Sequence, residues 1–408
     1  MGNQMCAFWL SRMVTVIAAT GLAAGPSLQM PVTSPKRVPP IEVLLTSGAA
    51  AASPLGDGTA LIMGGTSIPQ PSQLYLDATN TLYLEPLGFG GSLQSLFTPE
   101  NISSTSQARG EQILDSTILQ KIASGDVSAQ NPLVVFGYSQ SAAISSAVMR
   151  QLAGQDVPSD YVRFVLVGNP DNPVGGMTVE TSGLYPQYLA DNVATPNDLY
   201  RTDVYTHEYD GVADFPKYPI NVLADLNAAL GFIYSHGTYF SLTPEQISNA
   251  VQLPTSAADT MVNYYMIPSE SLPLLDPMRL IPIVGQPLYD LLEPVTRILV
   301  NLGYGNIEHG WAPGDADVVS ASGLFPTNLD LGDVLTALSN GLQQGIGDFF
   351  DDLRDPATYQ IIPLLDNPSL ADIEEAGYIF GFLPSPHPTA AEALQGISEL
   401  FQAFSAMT

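Results

Sequence analysis

Short apolar runs alternate with stretches of helical spacing through the middle of this 408-residue chain, and no other feature restricts its fold as much. Leu133-Val-Val-Phe136 is a run of β-formers, and the small-residue stretch Ala142 to Leu152 reads as a helix a few residues later. Glu111 to Ile122 carries apolar residues at 113, 114, 118, 119 and 122, the spacing of one helix face. Thr59-Ala-Leu-Ile-Met63, Tyr161 to Val167 and Leu199 to Tyr205 predict further strands; Gly64-Gly65 closes the first and Gly168-Asn-Pro170 the second. A strand that is apolar along its whole length is covered on both faces. The pattern therefore predicts an α/β domain with a mostly parallel central sheet flanked by helices, starting near Gly58.

Twelve Lys and Arg against 40 Asp and Glu leave a net charge of −28. Such a surface excludes nucleic acid as a partner, because phosphate contacts need cations, and an anionic bilayer would repel it. With 45% hydrophobic and 13% charged residues the chain has ample material for a core. Cys6 is its only thiol, and the histidines at 207, 236, 309 and 387 form no His-Glu-x-x-His pair. Neither a disulfide framework nor a metal site is expected, and no cofactor motif is present.

The two ends differ in texture from the middle. Met13 to Ala24 is apolar and uncharged, with Gly25-Pro26 and a Pro/Ser stretch behind it. Twelve residues fall short of the roughly 20 a bilayer span needs. Residues 1–35 are expected to serve as a signal peptide or an N-terminal membrane anchor, placing the remainder outside the cytoplasm, in the cell envelope or secreted. Residues 36–57 read as a linker, 58–325 as the main domain, and 326–408, with twelve acids and one base (Arg354), as an acidic helical extension. Its part from Asn328 to Arg354 is amphipathic, with Leu331, Val334, Leu335, Leu338, Leu342, Ile346, Phe349 and Phe350 at helical spacing. Ile267 to Val300 is apolar and interrupted by six prolines, which predicts short helices over the sheet, either plain core or a cover for an apolar chain.

Chemistry concentrates at Gly137-Tyr-Ser139-Gln-Ser141, between a predicted strand and a predicted helix. In that context Gly-x-Ser-x-small forms a nucleophile elbow, a strained turn that presents a serine hydroxyl at the carboxyl edge of a sheet and defines the α/β-hydrolase fold. A small residue at the last position is needed because strand and helix backbones approach closely, and Ser141 meets that need. Ser139 then requires a base and an orienting acid. In this fold the order is Ser, acid, His. Asp210, in His207-Glu-Tyr-Asp210-Gly-Val-Ala-Asp214, follows a predicted strand and is the first choice for the acid, with Asp214 and Glu208 as alternatives. His236, in Ser235-His-Gly-Thr-Tyr239, is the first choice for the base; His309 is the alternative, and His387 reads as solvated. The oxyanion hole needs two backbone N–H groups, expected from Gln140 and from Thr66 in Gly64-Gly65-Thr66-Ser67.

Together these residues resemble a known family. Gly137-Tyr-Ser-Gln-Ser141-Ala is close to the elbow of cutinases. The ordered set Met63-Gly-Gly-Thr66 with Pro69 and Pro71, the elbow, Gly168-Asn-Pro170, Tyr209 to Pro216, His236-Gly-Thr-Tyr239 and Tyr264-Tyr-Met-Ile-Pro268 resembles the PE-PPE domain of mycobacterial cell-envelope proteins over roughly residues 58 to 325. The residues ahead of the domain are expected to be a signal or anchor in place of the helical PE or PPE module that precedes it in many members. Stand-alone, membrane-anchored members are similar to acyltransferases that move fatty acyl chains between trehalose glycolipids. The resemblance implies a serine hydrolase that cleaves or transfers acyl esters through an acyl-enzyme. The competing expectation is a non-catalytic envelope protein that keeps the scaffold to bind lipid or a partner, and its mark would be a broken Ser-Asp-His set. None of the three positions is broken. The acidic surface favours a substrate that is neutral where it meets the protein, such as an acyl ester or glycolipid, and leaves membrane association to the apolar N-terminus.

Overall fold

The computed structural model describes residues 55–359 except 102, 183–193, 258–259 and 321. The predicted signal or anchor segment, most of the linker, and the tail beyond 359, with His387, lie outside the described residues. Among the described residues no helix is long and apolar enough to cross a membrane.

Seven strands form one sheet: β1 (Thr59–Ile62), β2 (Ser92–Ser95), β3 (Leu133–Tyr138), β4 (Val162–Val167), β5 (Arg201–His207), β6 (Val251–Gln252) and β7 (Val262–Ile267). Their order is β2-β1-β3-β4-β5-β7-β6, and every pair is parallel except β6 with β7. From β1 the chain steps outward to β2 and then returns to β3, so the winding reverses between β1 and β3. In open parallel sheets the crevice beyond the carboxyl ends of the strands at such a reversal is where ligands bind. Together with the elbow after β3, described below, this is an α/β-hydrolase fold.

Alternation along the strands divides the core. Leu61, Met63, Leu133, Val135, Phe164, Leu166 and Val204 pack toward α2 (Ser104–Ala123) and α3 (Gln140–Gly154), meeting Leu114, Ile118, Ile144, Val148 and Leu152. Ala60, Ile62, Val134, Phe136, Tyr138, Val165 and Val167 pack on the opposite face with Leu76 of α1 (Gln73–Thr79), Tyr83 and Tyr239. Both faces are covered, which explains the continuous apolar runs. Further helices are α4 (Met177–Ser182), α5 (Val222–Tyr234), α6 (Pro244–Ser248), α7 (Gly285–Asn301) and α8 (Leu331–Arg354).

The proline-rich segment differs from the expected series of short helices. Only Asp276–Leu280 is a short 3-10 turn, and residues 285–301 form one helix of 17 residues. Pro287 falls in its first turn, where the missing N–H has no intrahelical acceptor anyway, and Pro294 sits in the interior. Part of the segment is plain core: Leu272, Leu275, Tyr289 and Val300 pack with Tyr209, Ala224 and Tyr304.

Helix α8 starts at Leu331, three residues inside the predicted stretch, with Asp330 accepting the N–H groups of Gly332 and Asp333. Its buried seam is not the Leu/Phe stripe, however. Val334, Gly341, Gly345 and Asp352 are buried, whereas Leu331, Leu335, Leu342, Ile346 and Phe350 are exposed. The glycines decide this, since a Cβ on Gly345 would lie 2.2 Å from the Leu291 carbonyl oxygen of α7. Close backbone approach along that seam turns the larger apolar side chains away from α7.

Candidate active site

Ser139 ends β3 and caps α3 with φ 56° and ψ −117°, a left-handed conformation that a non-glycine residue adopts only under constraint. Its N–H still donates to the Val167 carbonyl at 3.0 Å, so the sheet ladder holds the turn at the carboxyl edge. A Cβ on Gly137 would meet the Ser141 carbonyl oxygen at 2.7 Å, which makes glycine obligatory there. Ser141 fills the usual glycine position at no cost in unpaired groups. Its hydroxyl accepts the Tyr138 N–H at 2.8 Å and donates to the Tyr138 carbonyl at 3.0 Å.

The base and acid come from the carboxyl side of β5. His236 begins a single 3-10 turn behind α5, and Asp210 lies in the turn after β5. Ser139 Oγ is 2.9 Å from His236 Nε2, and His236 Nδ1 is 2.8 Å from Asp210 Oδ2. All three side chains are buried, Ser139 at 8% exposure and the other two at 0%. Asp210 accepts four hydrogen bonds: Val212 N–H (2.8 Å) and Ala213 N–H (3.2 Å) at Oδ1, His236 and the Tyr239 hydroxyl (2.8 Å) at Oδ2. Burial by itself would raise its pKa, but the His236 charge and these hydrogen bonds together hold it below the ordinary carboxylate range. A carboxylate so anchored stays ionised and fixes the imidazole with its proton on Nδ1 and its lone pair facing Ser139.

Residues without an assigned role in the sequence complete the cage. The His236 ring stacks with Tyr138 (centroids 5.2 Å apart) and with Phe232 (5.6 Å). The Tyr138 hydroxyl donates to the His236 carbonyl at 2.5 Å. Tyr239 joins the acid to the sheet, accepting the His207 N–H at 2.8 Å while its own proton goes to Asp210. Gly168, at φ +56°, faces the imidazole so closely that a Cβ would lie 2.9 Å from Cε1. A tyrosine one helical turn beyond the histidine and a glycine closing β4 were the available signals, and neither by itself distinguishes support from ordinary packing.

The alternatives fall elsewhere. Asp214 is buried and accepts the Tyr209 N–H at 2.9 Å. It neither caps α5, which Asn221 does, nor faces water. Burial and the nearby Glu208, Asp210 and Glu180 push its carboxyl well up, so it is suited to remain neutral. Glu208 accepts the N–H groups of Gly310 and Ser269 and has Arg297 nearby. His309 stacks on Trp311 at 3.7 Å and hydrogen-bonds to its carbonyl, away from Ser139; burial lowers its pKa to about 4. His207 is buried in β5 with its ring beside the Ser235 carbonyl.

Gln140 opens α3, where helix geometry leaves its N–H without an intrahelical acceptor. The Gly64–Ser67 loop lies against the elbow: a Cβ on Gly65 would meet Tyr138 Cδ1 at 2.8 Å and Ser139 Cβ at 3.3 Å. Thr66 donates its hydroxyl to Gln140 Oε1 at 3.1 Å, so that proton is committed and the backbone N–H is what Thr66 can offer a ligand. Among the described residues no group of three or more His, Cys, Asp or Glu side chains could hold a metal ion.

A serine-histidine-carboxylate chain at the winding reversal of a parallel sheet places the molecule among α/β-hydrolase-fold proteins. The chain belongs to the PE-PPE domain family, which it matches over residues 92–305. It is 43% identical over 364 residues to the uncharacterized PPE family protein PPE28 of Mycobacterium tuberculosis, covering 85% of this chain and 53% of that one. It is 40% identical over 346 residues to Esterase PE16 of the same organism, covering 78% and 63%. To SL1278 acyltransferase Chp1, also from M. tuberculosis, it is 28% identical over 256 residues, covering 55% and 60%. The chain thus spans between about half and just under two thirds of the length of these relatives.

Proposed function

We propose that this protein is a serine carboxylic-ester hydrolase or acyltransferase acting on fatty acyl esters of cell-envelope lipids. The observation that carries this is the unbroken hydrogen-bonded chain Ser139–His236–Asp210. Relatives named as an esterase and as an acyltransferase support it.

In the proposed mechanism Ser139 Oγ attacks the ester carbonyl carbon as its proton passes to His236 Nε2. The charge that develops on the carbonyl oxygen is met by the backbone N–H groups of Gln140 and Thr66. Asp210 stabilises the imidazolium and keeps its orientation. His236 then gives the proton to the departing alkoxide, which leaves as the alcohol, and an acyl-serine ester remains. Water or a sugar hydroxyl attacks that ester while His236 takes its proton, and return of the proton to Ser139 releases a free acid or a new ester. Which acceptor prevails depends on how far the site excludes water. An acylated trehalose is the neutral glycolipid proposed as substrate. Export by the N-terminal segment, with release or anchoring at the envelope, belongs to the same proposal, as does the division into a domain over 58–325 and an extension over 326–408.

The test has two arms. A fluorophosphonate probe should label the folded wild-type chain on Ser139 and leave Ser139→Ala unlabelled. Incubation with acylated trehalose and mass analysis should then yield free fatty acid or a more heavily acylated sugar. A Ser139→Ala protein that hydrolysed short p-nitrophenyl esters at the wild-type rate would overturn the assignment.

A further inference from the structure

A buried acid that the mechanism above does not use sits behind the loop proposed to supply one oxyanion donor. Glu100 is 1% exposed, and neither carboxyl oxygen has a hydrogen-bond partner. No ion pair of Glu100 occurs among the described residues. The neighbouring polar group is Thr98, fully buried, whose hydroxyl is likewise without a partner. An uncompensated carboxylate is costly in such surroundings, whereas a neutral carboxylic acid is tolerated far better.

The backbone of the same residue is the anchor of the loop. Glu100 has φ +42°, and its carbonyl accepts the Ser67 N–H at 2.7 Å, Ser67 itself lying at φ +71°. Two left-handed, non-glycine residues joined by one hydrogen bond mark a place where the surrounding structure maintains strain. The next residue extends the clamp. Asn101 accepts through its carbonyl from Gln140 Nε2 at 3.1 Å, and Gln140 Oε1 accepts the Thr66 hydroxyl. The 100–101 pair therefore holds both carriers of the proposed donors, Thr66 through the Ser67 turn and Gln140 directly.

We propose that Glu100 is a positioning residue for the oxyanion side of the site: uncharged, it stays buried and its backbone keeps the Gly64–Ser67 loop against Gln140, and on ionisation it is drawn toward water and releases that loop. The inference rests on the esterase reading and adds a regulatory property to the same site. Burial pushes the Glu100 carboxyl up to about 7, the Thr98 hydroxyl opposing the rise. Tyr75 of α1 is a titratable side chain close enough to feel its charge; burial first and Glu100 second hold that phenol well above its ordinary range, so it remains neutral while Glu100 titrates. Glu100 thus ionises near neutrality, and activity should decline on the alkaline side as it does so.

The experiment is the pH profile of kcat/KM for p-nitrophenyl butyrate between pH 5.5 and 9, with phenolate absorbance corrected for pH, for wild type, Glu100→Gln, Thr98→Val and Ser139→Ala. With an inactive ionised form, the wild-type value should fall roughly tenfold for each pH unit above the transition. Glu100→Gln cannot ionise and should fall less than twofold over the same range. Thr98→Val removes a hydroxyl that favours the charged form, so its alkaline limb should move to higher pH. That variant is close to isosteric and leaves the Glu100 carbonyl bonded to the Ser67 N–H, which keeps the test available if Glu100→Gln fails to fold. A merely structural role would lower the whole profile without moving its limb. Glu100→Gln and Thr98→Val profiles that superimpose on the wild type, or a wild-type profile flat to pH 9, would overturn the inference while leaving the serine assignment intact. Hydrolysis persisting in Ser139→Ala would overturn the assignment on which it rests.

Discussion

Gly168→Ala probes how tightly the candidate base is held, and its effect follows from the geometry. The new Cβ would lie 2.9 Å from His236 Cε1, 3.1 Å from Nδ1 and 3.0 Å from Tyr239 Cε2, where ordinary contact begins near 3.4 Å. The imidazole would have to retreat by about 0.5–1 Å. Tyr138 and Phe232 both stack on the ring and limit its tilt, so a retreat changes its distances to Ser139 and Asp210 together. A displacement of that size in a catalytic group costs on the order of 100-fold in rate, about 2.7 kcal/mol. Placing alanine at φ +56° adds about 1–2 kcal/mol of backbone cost to the fold. The variant should therefore remain folded with a melting temperature lower by about 2–8 °C. Its kcat for p-nitrophenyl butyrate should fall roughly 100-fold with KM little changed, since no substrate contact is removed. Fluorophosphonate labelling should slow in parallel. A Gly168→Ala protein within threefold of wild-type kcat would refute the view that this glycine sets the position of His236.

Asp210→Asn should lower kcat by roughly 10,000-fold while leaving the fold intact, because an amide cannot hold the same imidazole tautomer. His309→Ala should stay within about twofold of wild type in the same assay, since His309 stacks on Trp311 away from Ser139. Ser141→Ala removes the hydroxyl that pairs with the buried Tyr138 N–H and should cost about 1–3 kcal/mol in urea unfolding. Stability should also depend on pH. Burial raises Glu180 and Asp225 to about 7 and Asp171 to about 6, so the folded chain binds more protons than the unfolded one between their ordinary values and these. The stabilisation is complete while they are protonated in both states and is lost as pH rises toward 7. Calorimetry should accordingly give a higher melting temperature at pH 5 than at pH 8.

Much of the fold was legible because it rests on short-range signals. Wholly apolar strands ended by Gly64, Gly168 and the elbow could be placed within a few residues. The candidate triad was readable in outline, since chain order and turn chemistry bring Ser139, Asp210 and His236 to one sheet edge. The supporting cage was not. Phe232, Tyr138 and Tyr239 are aromatic residues in apolar surroundings, and only three-dimensional placement distinguishes a ring that clamps an imidazole from one that fills a core. Helix α8 carries the same lesson in reverse. Its leucine stripe suggested the buried face, but Gly341 and Gly345 outweigh it because backbone proximity to α7 depends on a partner that periodicity cannot reveal.

The ladder bonds that continue past the strand ends, Ser139 N–H to Val167 O and Gly168 N–H to Tyr205 O, make the sheet a length standard for the site. A slip of one residue in the first ladder would turn the serine to the opposite face, and one in the second would do the same to β5, from whose end Asp210 follows. A slip of two in the first would shift the serine by about 6.6 Å along the strand, more than any rotamer change could recover across the 2.9 Å gap to His236. Errors of assembly are therefore quantised here, and no side-chain adjustment yields a half-competent molecule. The stoichiometry of covalent labelling at Ser139 should count correctly registered molecules one by one, reporting folding quality in any preparation more sharply than helical content does.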